Sequence, residues 1–585
     1  MTPVRTRCLL LLLPCLALAA CGAPTAPTPA AATPRVTPDN PSWTRFVDAY
    51  IEATFKAQPM FAVQQGRHEY DGQMPDLSAG GIAAEISRLK SARAAAQAIT
   101  PETLSESQRF EREYLIAELN SELFWREKAG WPTRSPAWTL EQLDPEVYLS
   151  REYAPLSRRL QGYVGYARAI PRIAADLRAN LRTPLPRTYV DNALKATAGY
   201  ADFYRNDVPK VFANVTDPEA QRELAAANAA AIRAMRGLHD WFASQRRRAN
   251  DGYALGPDLF AQMLLDTDAV DLPIARLKAV GEADIARNAA QLQASCAAFA
   301  PGASIAACVA KTAARKPPQG PVEGARAQLD SLRAFVRDHD LVSIPSEEQA
   351  AVAEAPPYNR SNTAYIVIPG PYEKNVASVY TISPPDPSWT KQEQLEYIDG
   401  EAKLANTSIH EVWPGHFLQF LHSNRSTSMF GRLFVGYDFA EGWAHYAEEL
   451  MWEAGYGAGQ PETHIAQLTD ALWRDVRLIT SIGLHTEGMS VAQAEKLFRD
   501  VSYLDAGNAR QQAARGTLDP AFLNYTLGKL EIRKLRDDWI ARQPAAQGAP
   551  RSQWKAFHDR FLSYGGPPIP LVRRAMLPGD AAAVL

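Results

Sequence analysis

The chain carries its most chemically suggestive residues in one short stretch, His410-Glu411-Val412-Trp413-Pro414-Gly415-His416. Two imidazole nitrogens from neighbouring positions, a carboxylate from elsewhere and one open position make up the usual ligand set of a hydrolytic zinc site. A glutamate directly after the first histidine is placed to take the proton of a water. These histidines are six residues apart. At ~100° per residue an unbroken helix would set them ~120° apart around its axis, too far to share an ion. Both can serve one ion only if the helix is bulged or broken between them. Pro414 and Gly415 stand at that place. Proline removes a backbone donor and clashes with the preceding turn, and glycine tolerates a strained backbone.

A third ligand is offered twenty-five residues later, in Glu441-Gly442-Trp443-Ala444-His445-Tyr446-Ala447-Glu448-Glu449. On a helix, Glu441, His445 and Glu448 share one face, while Trp443, Ala444, Ala447 and Leu450 mark an apolar side. Glu441 is expected as the ligand, with His445 and Glu448 as alternatives. Six of the ten histidines fall between positions 410 and 485, so this region concentrates the chemistry of the chain.

The elements around these motifs read as helices. Phe46, Ala49, Tyr50 and Ala53 repeat at three- and four-residue spacings. Similar amphipathic stretches recur near 81–98, 105–128, 155–181, 190–207, 217–247, 272–299 and 322–338, then from the metal motifs to about 542, and again near 551–563. Breaks such as Pro132, Pro136, Pro184-Leu185-Pro186 and Pro317-Pro318 separate them. One segment differs. Tyr365–Ile368 and Ala377–Ile382 are β-branched and aromatic around Pro369-Gly370-Pro371, which predicts a small hairpin or irregular sheet just ahead of the histidines. The expected fold class is mainly α, a single large helical body over residues 42–585 with a minor β element beside the site.

The N-terminus reads as an address. Arg5 and Arg7 precede an apolar run, Cys8–Ala20, that is too short to span a bilayer. The run ends in Leu18-Ala19-Ala20-Cys21-Gly22, which resembles the lipobox of bacterial lipoproteins. That resemblance implies removal of residues 1–20 and acylation of Cys21; the alternative is an ordinary secretory signal that ends in cysteine. By resemblance to known lipoproteins, Gly22 in place of an aspartate after the cysteine implies sorting to the periplasmic face of the outer membrane. Residues 21–41, rich in Ala, Pro and Thr, form a tether with almost nothing to bury. Only Cys296 and Cys308 would then remain, twelve residues apart, either bridged or as two buried thiols.

The whole chain has 62 basic and 65 acidic residues, a net charge of −3; loss of Arg5 and Arg7 takes this to about −5. The charges are interspersed, which argues against nucleic acid as a partner. The membrane is met only through the lipid, and oligomeric state is not encoded in any visible pattern.

The pair His-Glu-x-x-Pro-Gly-His and Glu-Gly-Trp-Ala-x-Tyr-x-Glu resembles the DUF885 family of bacterial metallohydrolases, many of them lipoproteins. Gly66-Arg67-His68-Glu69-Tyr70-Asp71, Gly483-Leu484-His485 and Pro520-Ala521-Phe522-Leu523-Asn524-Tyr525-Thr526-Leu527-Gly528 follow the same family order. His445, Ser481 and Ala521-Phe522 depart from the family pattern. The resemblance, and a looser likeness to helical gluzincin peptidases, implies a zincin-like helix pair in a long groove. It also implies Zn²⁺ held by His410, His416 and Glu441, Glu411 as base, and a peptide or related amide as substrate. By family position Tyr525 is the expected donor to the developing oxyanion, and His485 and Arg515 are the weaker candidates, placed as substrate-binding residues. Two other readings stay open. One is a partner-binding envelope lipoprotein whose metal, closed by His445, only locks two helices; the other is a hydrolase of non-peptide esters or amides.

Several weaker patterns carry no chemistry. Ser388-Trp389-Thr390-Lys391 lacks the companion Lys-Thr-Gly of penicillin-binding enzymes, and Thr390 to Glu393 reads as a helix cap. His68-Glu69 lacks a second histidine nearby, and Gly455 to Gly459 is a turn. His239, His339 and His558 sit among helical charges, solvated or capping the core.

Overall fold

A computed structural model describes residues 37–580 and Leu585, apart from 356–359, 361–362, 386, 388 and 544–549. Cys21, the leader, most of the tether and Ser388 therefore lie outside the described residues. Helix formation begins at Pro41, one position before the helical body was expected to start. Asn40 caps helix Pro41–Ala57 by accepting from the Ser42 amide, with Pro41 at its first position.

The expected helices form. In the N-terminal half, helix Leu156–Asn180 buries Leu160, Tyr163, Ala167, Ile170, Ala174 and Leu177 on one stripe and packs against helix Pro218–Gln245, which also packs against helix Arg187–Asn206. In the C-terminal half, helix Ile274–Phe299 lies along helix Pro461–Thr486, and helix Tyr437–Ala454 crosses helix Asn524–Ala541. That second crossing is unusually close. A Cβ on Gly442 would lie 2.6 Å from the Gly528 Cα, and one on Gly528 would lie 2.3 Å from the Asp438 carbonyl oxygen. Only glycine at both positions lets the two backbones meet.

The β element is larger than expected. Strands β2 (Ala364–Val367) and β3 (Val379–Ile382) pair antiparallel, as the hairpin reading requires. A third strand, β1 (Ala351–Glu354), adds parallel to β3, giving the order β1-β3-β2. Its Ala-Val-Ala-Glu sequence has little β signal of its own, so the neighbour determines the conformation. Tyr380 of β3 is fully buried, and its hydroxyl accepts a long hydrogen bond from Ser408 Oγ at 3.5 Å. The sheet thus braces the helix that carries the first histidine. The loop after β2 docks on the N-terminal half, where the Tyr372 amide donates to the Gln65 carbonyl at 3.0 Å. A further helix, Ile569–Met576, follows the last one anticipated.

Cys296 and Cys308 are joined in a disulfide that ties the end of helix Ile274–Phe299 to helix Ile305–Ala314. This bond suits an oxidising, extracytoplasmic setting. Among the described residues no helix is long and apolar enough to cross a membrane.

Candidate metal centre

The helix carrying the first histidine runs from Glu401 to Glu411 and stops there; a new helix starts at His416 and runs to Ser423. The break between them is held by sequence-specific contacts. The Gly415 amide donates to the Ile409 carbonyl at 2.9 Å, and a Cβ on Gly415 would lie 1.8 Å from the His410 carbonyl oxygen. From the third helix, Trp443 Nε1 donates to the Pro414 carbonyl at 2.8 Å. The result turns His416 back towards His410, with ring centroids 4.8 Å apart and planes at 88°.

Glu441, in the second turn of helix Tyr437–Ala454, completes the group. Its Oε2 lies 3.5 Å from Nε2 of His410 and 3.5 Å from Nε2 of His416. One ligand atom from each of the three residues falls within 4.8 Å of the others, and among the described residues no other such cluster of histidine, cysteine and acidic side chains occurs. Ligands about 2.1 Å from a tetrahedral ion stand about 3.4 Å apart, so these separations suit a shared ion better than direct hydrogen bonds. Glu441 Oε2 and His416 Nδ1 are buried with no hydrogen-bond partner among the described residues.

Glu448 falls outside this trio and is the partner of its first histidine. Its Oε1 accepts from His410 Nδ1 at 2.7 Å, which leaves the His410 Nε2 lone pair facing Glu441. The other carboxylate oxygen accepts from Asn406 Nδ2 at 2.9 Å, and Arg474 Nη2 approaches Oε1 to 3.3 Å. This is the carboxylate–histidine arrangement that orients metal-binding imidazoles. His445 lies fully buried with neither ring nitrogen hydrogen-bonded among the described residues, its Nδ1 3.6 Å from Glu448, outside the ligand trio. Burial, then Lys529, lowers its pKa to about 3, so it is neutral.

The electrostatics suit a cation. Burial alone would lower the His410 pKa, but the neighbouring carboxylates of Glu441 and Glu448 outweigh it and raise it to about 9. Burial alone would raise the pKa of Glu441, yet His416 and His410 hold its carboxyl well below the usual range. The carboxylates demand positive charge at this point, as protons or as a metal ion.

The trio opens onto a cavity of about 3480 Å³ that Glu411, Tyr525 and Arg515 also line. Tyr525 opens helix Asn524–Ala541, its ring 6.4 Å from that of His410 and nearly parallel to it. Burial and Glu441 raise its pKa, so its hydroxyl stays protonated and able to donate. Arg515 Nη2 donates to Tyr437 Oη at 3.2 Å and to Asp519 Oδ2 at 3.1 Å. His485 is elsewhere: it does not line the cavity, is buried against Phe260, and its Nε2 donates to the Gly516 carbonyl at 2.8 Å. The structure thus brings Arg515 to the cavity and sets His485 in the core, away from it.

Three cavity residues were not anticipated. Trp473, Arg474 and Arg477 project from helix Pro461–Thr486 beside Tyr525. Basic residues at three-residue spacing inside an apolar helix were the available signal. The minor patterns behave as expected. Thr390 and Glu393 form a capping box, Gly455 to Gly459 is a turn, and His68 is held by Asp71 and Glu373 and stacked on Tyr153. His558 bonds Tyr446 and the Leu341 carbonyl inside the core.

Two solved structures share this fold. A "putative lipoprotein of unknown function" from Shewanella oneidensis superposes with a TM-score of 0.75 at 22% identity, covering 92% of this chain and 99% of that one. A "putative lipoprotein" from Colwellia psychrerythraea gives 0.75 at 16% identity, covering 92% and 98%. No curated protein sequence matches. The family pattern described as "Bacterial protein of unknown function (DUF885)" matches residues 59–576, nearly the whole described chain, and the protein belongs to the DUF885 family.

Proposed function

We propose that this protein is a zinc-dependent hydrolase of peptide or related amide bonds, anchored in the bacterial cell envelope through Cys21. The observation that carries the reading is the convergence of His410 Nε2, His416 Nε2 and Glu441 Oε2 at the wall of a large cavity, with Glu448 fixing the His410 tautomer. Three protein ligands facing open space favour an enzyme over a closed structural site, which would take a fourth.

When bound, zinc supplies Lewis acidity that activates a water and polarises a carbonyl. His410, His416 and Glu441 would hold it. Glu411 follows the first ligand and lines the cavity, so its carboxylate takes the proton from the attacking water and passes it to the leaving nitrogen. The C–O bond forms first and puts negative charge on the former carbonyl oxygen; the C–N bond then breaks as the nitrogen takes the proton, leaving a carboxylic acid and an amine with no other reactant. Tyr525, protonated and beside His410, donates to the oxygen on which negative charge develops. The same residues could serve an ester. The size and mixed polarity of the cavity favour a peptide-sized substrate.

The test is Glu411→Gln in the zinc-loaded chain. Turnover of a peptide mixture is expected to fall about 10²- to 10⁴-fold while zinc stays near one per chain. Full activity in this variant removes Glu411 from its role. Activity unaffected by chelation removes the metal.

A further inference from the structure

Three arginines surround Tyr525, and their charge balance differs. Arg474 faces Glu448 at 3.3 Å and Asp470 at 4.0 Å. Arg515 faces Asp519 at 3.1 Å. Arg477 has no carboxylate of the described residues within 4.0 Å. It is only 5% exposed and lines the cavity. Its Nε donates to Gln512 Oε1 at 3.1 Å, and its Cζ lies 4.7 Å from the ring centroids of both Trp473 and Tyr525. These neighbours orient the guanidinium and give it some cation–π stabilisation, but none neutralises it. Burial, with Arg515 and Arg474 close by, lowers its hold on its proton. A buried, oriented guanidinium without an anion is a site built for one, because the planar fork matches a carboxylate.

We propose that Arg477 binds the free terminal carboxylate of a peptide substrate, so that the chain removes one or two residues from that end. This rests on the hydrolase reading above. The 6.4 Å from His410 to Tyr525 and the 4.7 Å from Tyr525 to Arg477 put the imidazole and the guanidinium within about 11 Å of each other. A hydrogen bond at one end and a metal-ligand distance at the other leave at most about 6 Å for the peptide, and an extended chain advances about 3.3–3.6 Å per residue. Longer C-terminal segments would overshoot the arginine.

The experiment compares N-acetylated peptides as free acids with the same sequences as C-terminal amides, including amides ending in glutamate, using the zinc-loaded full chain and mass analysis of products. Free acids are expected to lose one or two residues, with kcat/KM at least 100-fold above the amides. Arg477→Met should bring that acid-to-amide ratio towards one, chiefly through KM, and Arg477→Lys should keep part of it. If Arg477→Met does not fold, Arg477→Lys and the variant-free acid–amide comparison carry the test. Calorimetry on the Glu411→Gln chain reads binding separately, and free acids should bind more tightly than amides. Amides cut as fast as acids, or cuts far from the C-terminus, overturn the carboxylate proposal and leave the hydrolase. Preference only for amides ending in glutamate moves the anion to a side chain and also overturns it. Tight binding of acids without any chelator-sensitive cleavage keeps Arg477 and sinks the hydrolase.

Discussion

His410 Nδ1 donates to Glu448 Oε1 at 2.7 Å, across 38 residues of sequence and two helices. A carboxylate can only accept, so this one contact decides which imidazole nitrogen carries the proton and which faces Glu441. Asn406 holds the far side of the same carboxylate and reaches Asp470 at 2.8 Å with its other amide hydrogen.

The first prediction follows from that contact. Glu448→Gln weakens the acceptor and frees the ring to turn, so zinc affinity should fall about 10- to 100-fold. Competition against a chromophoric chelator measures it. An unchanged affinity would mean that the ring is held by packing alone.

The helix crossing gives a second. Gly528→Ala places a methyl 2.3 Å from the Asp438 carbonyl oxygen, a rigid backbone neighbour, and pushes the Glu441 helix away from the Tyr525 helix. Destabilisation of about 1–3 kcal/mol is expected, with weaker zinc binding. Gly199→Ala is the control, since nothing lies within 4 Å of its Cβ on an exposed helical face. That change should be neutral or stabilise by about 0.5–1 kcal/mol. Thermal midpoints with and without zinc compare the two, and equal effects would refute the close-approach argument.

Below the site lies an ionic cluster that sets acid stability. Glu449 is paired with Arg287 and Arg533 at 2.9 Å each, and Lys529 lies 3.7 Å away. Burial alone would raise its pKa, but Lys529, Arg287 and Arg533 outweigh it and lower the value to about 2. A carboxyl depressed in the folded state contributes stability above its unfolded pKa of about 4.3, and loses it as pH falls through the folded value. Glu449→Gln should therefore cost about 3 kcal/mol near neutral pH, and its deficit should close between about pH 4.5 and pH 2. Unfolding midpoints across that range test this. A deficit that stays constant with pH would assign the effect to packing.

The metal motifs were legible because their spacing is physically awkward. Two histidines six apart cannot share an ion on a regular helix, and the Pro414-Gly415 pair between them is where the helix ends. The helices and the hairpin were readable for similar local reasons, namely periodicity and β-branching, whereas the two cysteines left a bridge and two separate thiols both open until the fold brought them together. Strand β1 was not legible, since its residues have no strong preference and adopt the ladder that β3 offers.

What lay beyond the sequence depends on distant elements meeting. Glu441, His445 and Glu448 share one helical face, so periodicity could not choose among them. Only the approach of helix Glu401–Glu411 sets Glu441 against Nε2 of His410 and Glu448 against its Nδ1. In the same way His485 and Arg515 looked alike as candidates, until the fold turned one into the core and the other into the cavity. Residue types and spacing determined that a candidate metal-binding group was present. Its ligand order, its supporting carboxylate and the unpaired Arg477 were decided by helix packing, because these contacts are set in three dimensions and leave no period along the chain.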